Sequence, residues 1–236
     1  MIHLKNCTIG YSSALFSIDD ILLNKGSIYA LIGSNGAGKS TLFSTLTNQL
    51  STLSGTITIA SQPLNSIKLK EIAKKVAFVQ SKTDYPDFLT VEAYLALGRT
   101  PYTNAFGRLA KEDHEIIKHV IKRLKIEEFL PKFMHKLSDG ERQIMAIASA
   151  LIQETPVLLL DEPTAFLDYG NRIKIIQLLK EIAETEEKCI LFSSHDLELC
   201  LEEINQFLYI DQAKKKLILA DDLTKEILLE KAFKLY

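Results

Sequence analysis

Gly33-Ser34-Asn35-Gly36-Ala37-Gly38-Lys39-Ser40-Thr41 carries the spacing G-x-x-x-x-G-K-[ST], a set of residue types suited to holding phosphate. Its glycines let the backbone wrap closely enough for N–H groups to face phosphate oxygens. Lys39 adds a point charge for the β- and γ-phosphates, and Ser40 offers a hydroxyl to Mg²⁺. A chance glycine-rich turn is the competing reading, and the context weighs against it. The apolar run 27–32 directly before it reads as a buried strand, and Leu42, Phe43, Leu46 and Leu50 follow at helical spacing over 39–50. A helix starting there turns its positive end toward an anion.

A second group of polar residues follows the apolar run Val157-Leu158-Leu159-Leu160. Asp161 and Glu162 close that run, and Pro163 stops the strand. At the strand's carboxyl end Asp161 can reach a Mg²⁺ shell, and Glu162 can polarise a water for in-line attack on a γ-phosphate. Alone, such acids mean only a strand reaching solvent; beside a phosphate loop they mean catalysis. His195 lies just past another apolar run, Cys189 to Phe192. Parallel-strand geometry places it at the same sheet edge, where open sheets bind ligands. Finally, Leu137-Ser138-Asp139-Gly140-Glu141 opens a helix with an apolar face at Ile144, Ile147, Ala148 and Leu151. Ser138-x-x-Glu141 fits a capping box, and the same N-terminus can also address a phosphate.

These groups need a scaffold that brings distant segments together. Short apolar or alternating pieces at 2–9 and 14–18 read as an antiparallel start, and 55–60 as a further strand. Between about 84 and 152 the pattern is helical, with Ile116, Ile117, Val120, Ile121 and Leu124 forming a stripe, which reads as an inserted helical subdomain. From Val157 onward strand and helix alternate (157–160, 173–183, 189–192, 197–204, 207–210), calling for a parallel sheet with helices on its faces. With 28 basic and 30 acidic residues among 236, and no long like-charged run, the chain is not built to hold nucleic acid through its phosphates. Lys214 to Lys216 reads as a solvated turn, and the stretch 181–187 as a solvated helix end. No apolar stretch approaches the roughly 20 residues that span a bilayer, and Met1 to Lys5 lacks signal-peptide features. Cys7, Cys189 and Cys200 have no metal or disulfide spacing and are expected to be buried, reduced thiols.

Taken in order, the motifs resemble those of the ATP-binding subunits of ABC transporters, over nearly the whole chain. Residues 33–41 are similar to the Walker A loop and Gln80, after Val76-Ala77-Phe78-Val79, to the Q-loop. Residues 137–141 resemble the LSGGQ signature, 157–162 Walker B, Ala165-Phe166-Leu167-Asp168 the D-loop, and His195 the switch histidine. Tyr11 stands where the family usually places an aromatic that stacks on adenine; the other reading is a turn tyrosine after Gly10. The resemblance implies one α/β domain over 1–236. Its core is a P-loop NTPase with a mostly parallel sheet, joined by an N-terminal antiparallel β subdomain and the helical insertion. It further implies that ATP and Mg²⁺ bind, with Ser40 and Gln80 on the metal and Asp161 in its outer shell. Glu162 is then the general base, while Lys39 and His195 stabilise the γ-phosphate. Two subunits would pack head to tail, Ser138, Gly140 and Glu141 of one closing on the Walker loop of the other, with Asp168 at the junction. Asp139 and Glu141 replace the more usual Gly and Gln, adding negative charge beside a triphosphate.

Val91 to Tyr102, ending in Gly98-Arg99-Thr100-Pro101-Tyr102, resembles the corresponding region of importer subunits for iron–siderophore, haem and cobalamin complexes. That likeness implies a polytopic membrane permease docking near 80–105, an external substrate-binding protein acting through it, and a peripheral position on the cytoplasmic face of the inner membrane. The chain ends soon after the last strand read here, which leaves no room for an appended regulatory domain. An exporter or lipid-transport ATPase is the nearest alternative. A soluble ABC ATPase of DNA repair or translation is disfavoured, because Lys39 and Ser138 are too close for an inserted long coiled coil. A non-hydrolysing scaffold is disfavoured by the presence of both Glu162 and His195.

Overall fold

The computed structural model describes residues 1–236 apart from 82, 105, 222 and 234–236. In chain order the elements are β1 (Ile2–Gly10), β2 (Ala14–Leu23), β3 (Ser27–Ile32), α1 (Lys39–Leu46), β4 (Ser54–Ile59), β5 (Gln62–Pro63), α2 (Leu69–Ile72), β6 (Val76–Val79), α3 (Val91–Leu97), α4 (Lys111–Leu124), α5 (Asp139–Ile152), β7 (Val157–Leu160), α6 (Tyr169–Thr185), β8 (Cys189–Ser194), α7 (Leu197–Glu203), β9 (Gln206–Asp211), β10 (Lys216–Asp221) and α8 (Lys225–Phe233). The strands form one sheet in the order β5-β4-β1-β2-β10-β9-β3-β8-β7-β6. From β9 to β6 neighbours run parallel, while β5, β4, β1 and β2 pair antiparallel. The expected parallel core with an antiparallel N-terminal part is therefore present. Between β6 and β7 the described residues form helices, turns and one isolated bridge, Thr90 to Phe133, in the stretch read as helical.

The central strands are buried on both faces, and their period of two divides the core. Ala30 and Ile32 of β3, Leu158 and Leu160 of β7, and Ile190 and Phe192 of β8 join α3, α4, α5 and α6 in one apolar cluster. Tyr29 and Leu31, Val157 and Leu159, and Cys189 and Leu191 join α1, β1 and β2 in the other. The Val, Leu, Ile and Phe side chains among them contribute roughly 1.5–3 kcal/mol each. The sheet is thus rigid just where its strand ends must hold polar groups.

Three elements depart from the sequence reading. The helix expected over 39–50 stops at Leu46, because Thr45 and Thr47 hydroxyls donate back to the carbonyls of Thr41 and Phe43 and Asn48 turns left-handed at φ 59°. The reading ended its sheet at 207–210, yet β10 and α8 follow. The turn between β9 and β10 lacks glycine and proline. Asp211 builds it instead, its buried carboxylate accepting from the Ala213 and Lys214 N–H groups, with Lys215 at φ 50°. Lys216 consequently belongs to β10 and pairs with Asp19 at 2.5 Å, while Lys214 and Lys215 are exposed turn residues as expected.

All three cysteines are buried and free, as read. Burial pushes the thiols of Cys189 and Cys200 up to about 12, so neither is a nucleophile at neutral pH.

Candidate functional site

The parallel register sets the site. Ile32 lies opposite Ser194, and Leu160 opposite Phe192, so β3, β7 and β8 end side by side. The loop after β3 turns at Gly36 and Gly38, both with positive φ, before α1 begins at Lys39. At Gly38 a side chain has no room: a Cβ would come within 2.8 Å of the Phe16 ring of β2. The loop thus rests on the antiparallel part of the sheet, with φ 108° that only glycine tolerates.

Lys39 is buried, and its ammonium donates to the carbonyls of Gly33 at 2.7 Å and Ser34 at 3.2 Å. Burial pulls its pKa below the ordinary lysine value, a pull opposed by the nearby carboxylates of Glu162 and Asp161. A cavity of about 430 Å³ opens beside it, lined by Asn35, Gly36, Gly38, Lys39, Ser40, Thr41, Ser81, Asp161, Glu162 and Phe166. His195 Nε2 lies 2.6 Å from Glu162 Oε1 and 3.4 Å from Lys39 Nζ, so one imidazole links the base candidate to the loop lysine. Beneath them, the Ser193 hydroxyl donates to Asp161 Oδ1 at 2.6 Å and accepts from the Glu162 N–H at 2.9 Å.

Of the residues singled out in the sequence, the structure brings Asn35, Gly36, Gly38, Lys39, Ser40, Thr41, Asp161 and Glu162 to this cavity. Gly33 and Ser34 reach it through the Lys39 bonds, Ala37 lies in the same loop, and His195 joins through Glu162. Gln80 is exposed and lines two neighbouring clefts instead. Tyr11 sits in the β1–β2 turn with its side chain largely exposed, and it is Phe16 that packs on the glycine loop. Sequence reasoning missed Ser81, Phe166 and Ser193. In the sequence Phe166 stands out only as part of the D-loop motif, and an isolated serine carries no signal before its place in the fold is known.

Ser138, Gly140 and Glu141 stand at the head of α5, away from this chain's phosphate cavity. The capping box forms: Ser138 Oγ accepts from the Glu141 N–H at 3.3 Å, and Glu141 Oε2 accepts from the Ser138 N–H at 2.7 Å and its hydroxyl at 2.8 Å. Those bonds hold the Glu141 carboxyl below the usual carboxylate range. Asp139, the other unusual acid, pairs with Arg142, which offsets its charge. A Cβ at Gly140 would meet Asn171 of α6 and Leu167, so this helix end packs on the segment before α6. There Asp168 caps α6 by accepting from the Asn171 N–H at 2.9 Å. Arg172 ties the same segment to the residue after His195, donating to Leu167 O at 2.7 Å and Asp196 Oδ2 at 2.9 Å.

The oxygens of Ser40 and Asp161 suit a hard divalent cation, and a glycine loop with a buried lysine suits the polyphosphate that would complete its shell. Among the described residues no three His, Cys, Asp or Glu side chains cluster as a protein-only metal cage. Fold and site together define a P-loop ATPase with an inserted helical subdomain.

Residues 19–165 match the family described as ABC transporter. The iron(3+)-hydroxamate import ATP-binding protein FhuC of Bacillus subtilis (strain 168) is 37% identical over 190 residues, which cover 80% of this chain and 71% of that protein. A solved ABC transporter in an inward-facing conformation superposes with a TM-score of 0.85 at 26% identity, covering 99% of this chain and 89% of that one. The dimeric cassette MJ0796 shares the fold with a TM-score of 0.77 at 24% identity, covering 95% of this chain and all of that one. The chain belongs to the ABC transporter family and is an ATP-binding, ATPase subunit.

Proposed function

We propose that this subunit powers an importer of iron chelates or chemically related metal complexes by hydrolysing Mg²⁺-ATP in sites shared between two copies. The observation that carries the catalytic part is the convergence at the phosphate loop, where His195 Nε2 lies 2.6 Å from Glu162 and 3.4 Å from the Lys39 ammonium. Glu162 accepts a proton from the attacking water, whose oxygen bonds the γ-phosphorus as the bond to the β-γ bridging oxygen breaks, giving ADP and phosphate. Lys39 and His195 offset charge on the γ-phosphoryl oxygens. Gly33, Ser34, Asn35, Gly36, Ala37, Gly38 and Thr41 cradle the phosphates, and Tyr11 offers its exposed ring to the base. Ser40 and Gln80 would hold Mg²⁺, Gln80 reaching in from the adjoining cleft, with Asp161 in the outer shell; when bound, the ion would offset phosphate charge.

Ser138 and Gly140 lie off their own chain's cavity, which supports their use on a partner's nucleotide. Donors there serve γ-phosphate charge as trans-acting arginines do in other P-loop enzymes. Glu141 anchors that helix end, and Asp168 fixes the segment beside it.

The likeness to FhuC supports iron-chelate import. The surface around 80–105, of which positions 82 and 105 lie outside the described residues, supports the permease contact. Phe88 exposes 81% of its surface and Leu97 55%, with Phe106 just past this stretch at 86%, and Gln80 and Tyr85 line a cleft together with His135, Arg142 and Gln143. Large exposed apolar side chains suit a protein contact, here with a polytopic permease whose external binding protein selects the cargo. Among the described residues no helix is long and apolar enough to cross a membrane. The permease would therefore supply the attachment at the inner membrane's cytoplasmic face, and no nucleic acid is needed.

Glu162→Gln tests both parts. It should retain ATP while releasing phosphate at least about 100-fold more slowly than the wild type. Captured with ATP from detergent-solubilised membranes, it should bring down a polytopic protein. Wild-type turnover in this variant would remove Glu162 as the base, and capture of soluble proteins alone would remove the transport reading.

A further inference from the structure

Ser193 of β8 is fully buried and lies outside every motif read above. Its hydroxyl makes two bonds, and both go to the end of β7. It donates to Asp161 Oδ1 at 2.6 Å and accepts from the Glu162 backbone N–H at 2.9 Å. A hydroxyl has one proton to give and lone pairs to receive with, so a single atom serves the metal-side carboxylate and the base-side backbone together.

The backbone it holds is strained. Glu162 has φ 50°, a left-handed conformation that costs a residue with a side chain free energy and persists only where its surroundings enforce it. Asp161 N–H bonds to Val79 O at 2.8 Å on one side, and Glu162 O accepts from the Ala165 N–H at 3.0 Å on the other. Between these two pins the Glu162 N–H has the Ser193 oxygen as its partner. Two residues further along the same strand edge, His195 meets the Glu162 carboxylate from above.

We propose that Ser193 is a positioning residue for hydrolysis: its hydroxyl orients the Asp161 carboxylate for the divalent cation and locks the left-handed turn that aims Glu162 at the γ-phosphate. The cation part rests on the Mg²⁺-ATP reading above; the turn part does not. With Oδ1 engaged by Ser193, Oδ2 is the Asp161 oxygen left for the cation. Removing the hydroxyl frees the carboxylate to rotate and leaves a buried N–H without an acceptor, a change commonly worth a factor of about ten or more.

The test compares Ser193→Ala with Ser193→Cys in the full chain, the cysteine filling the volume while bonding poorly. Amide hydrogen exchange, followed by NMR on nucleotide-free protein, should show the Glu162 N–H exchanging about tenfold faster in both variants, with Ile190 in mid-strand still protected. Mn²⁺ affinity, measured by electron paramagnetic resonance with a non-hydrolysable ATP analogue, should fall about tenfold in both, while metal-free analogue binding holds. Wild-type exchange at Glu162 in both variants overturns the proposal. So does a cysteine variant indistinguishable from wild type, or protection lost along all of β8, since either outcome assigns Ser193 to packing. If exchange rises but Mn²⁺ affinity is unchanged, the cation part is overturned. A wild-type chain with no ATPase activity would instead count against the function proposed above, because the exchange measurement uses no nucleotide.

Discussion

Glu141 illustrates how one residue answers two demands. In the signature position it adds a negative charge near the place a partner's triphosphate would occupy, yet its carboxylate is spent on Ser138, through the backbone N–H and then the hydroxyl. Both bonds favour the ionised form, so the folded-state pKa lies below the unfolded one. The stabilisation is therefore complete above the unfolded value of about 4.3 and is lost as pH falls through the folded one. Glu141→Gln keeps a capping partner but not the charge. In thermal unfolding from pH 7 down to 3 it should melt below the wild type at pH 7 and converge with it at the acid end. A gap that stays constant with pH would show that the carboxylate is not what Ser138 needs. The opposite charge effect acts on Lys39, where burial pulls the pKa down and a bound phosphate would favour the ammonium.

At the level of elements, the joint between α3 and α5 is the feature most exposed to single changes. Gly98 ends α3 against α5, and a Cβ there would sit 2.5 Å from the Ser149 carbonyl oxygen and 3.0 Å from Ile152 Cγ2. Arg99, next along, is buried and bonds Asp113 at 2.7 Å and the Ile152 carbonyl at 2.9 Å, closing the C-terminus of α5 and holding the start of α4. Burial alone would raise the Asp113 pKa, but the Ala110 N–H and Arg99 outweigh it and hold the carboxyl below its usual range. Alanine normally improves a helical position by about 1 kcal/mol over glycine, but here the obstacle is backbone and cannot swing away. Gly98→Ala should therefore destabilise by about 1–3 kcal/mol, seen as a lower melting temperature. A higher melting temperature would mean that α3 is free to slide on α5. This joint explains why Gly98 and Arg99 stand where they do: they lock the apolar surface at Leu97 to the helix that carries Ser138.

For the molecule as a whole, Ser138 and Gly140 of the α5 head do not line the phosphate cavity of their own chain, so one chain would hold only half of each proposed composite site. Two chains sharing two ATP molecules would complete both, and hydrolysis would release them. Glu162→Gln, which keeps ATP, should run as a monomer without nucleotide and at twice the mass with Mg²⁺-ATP in light scattering after gel filtration. Ser138→Arg added to it should abolish the shift. A monomer at saturating ATP in Glu162→Gln would sink the head-to-tail arrangement for the isolated subunit.

The strand–loop–helix around Lys39, the acids after Leu160 and the histidine after Phe192 were legible in the sequence because each depends on neighbours a few residues away. A buried strand announces itself by an unbroken apolar run, a phosphate loop by glycine spacing, and a helix start by its cap. The same locality explains the misses. The turn at Lys214 to Lys216 is legible but carries no glycine or proline to mark a hairpin, so β10 and α8 lie beyond the sequence reading, and the early stop of α1 comes from threonine hydroxyls competing for helical carbonyls. What only the tertiary structure decided is everything that rests on register between strands far apart in the chain. It set Ser193 under Asp161 and Glu162, joined His195 to Lys39, tied Arg172 across to Asp196, and left Gln80 and Tyr11 outside the phosphate cavity. Sequence spacing fixes which residues share a strand end, but the parallel pairing of β3, β8 and β7 fixes which strand ends meet, and hydrogen bonds a few ångströms long are decided there.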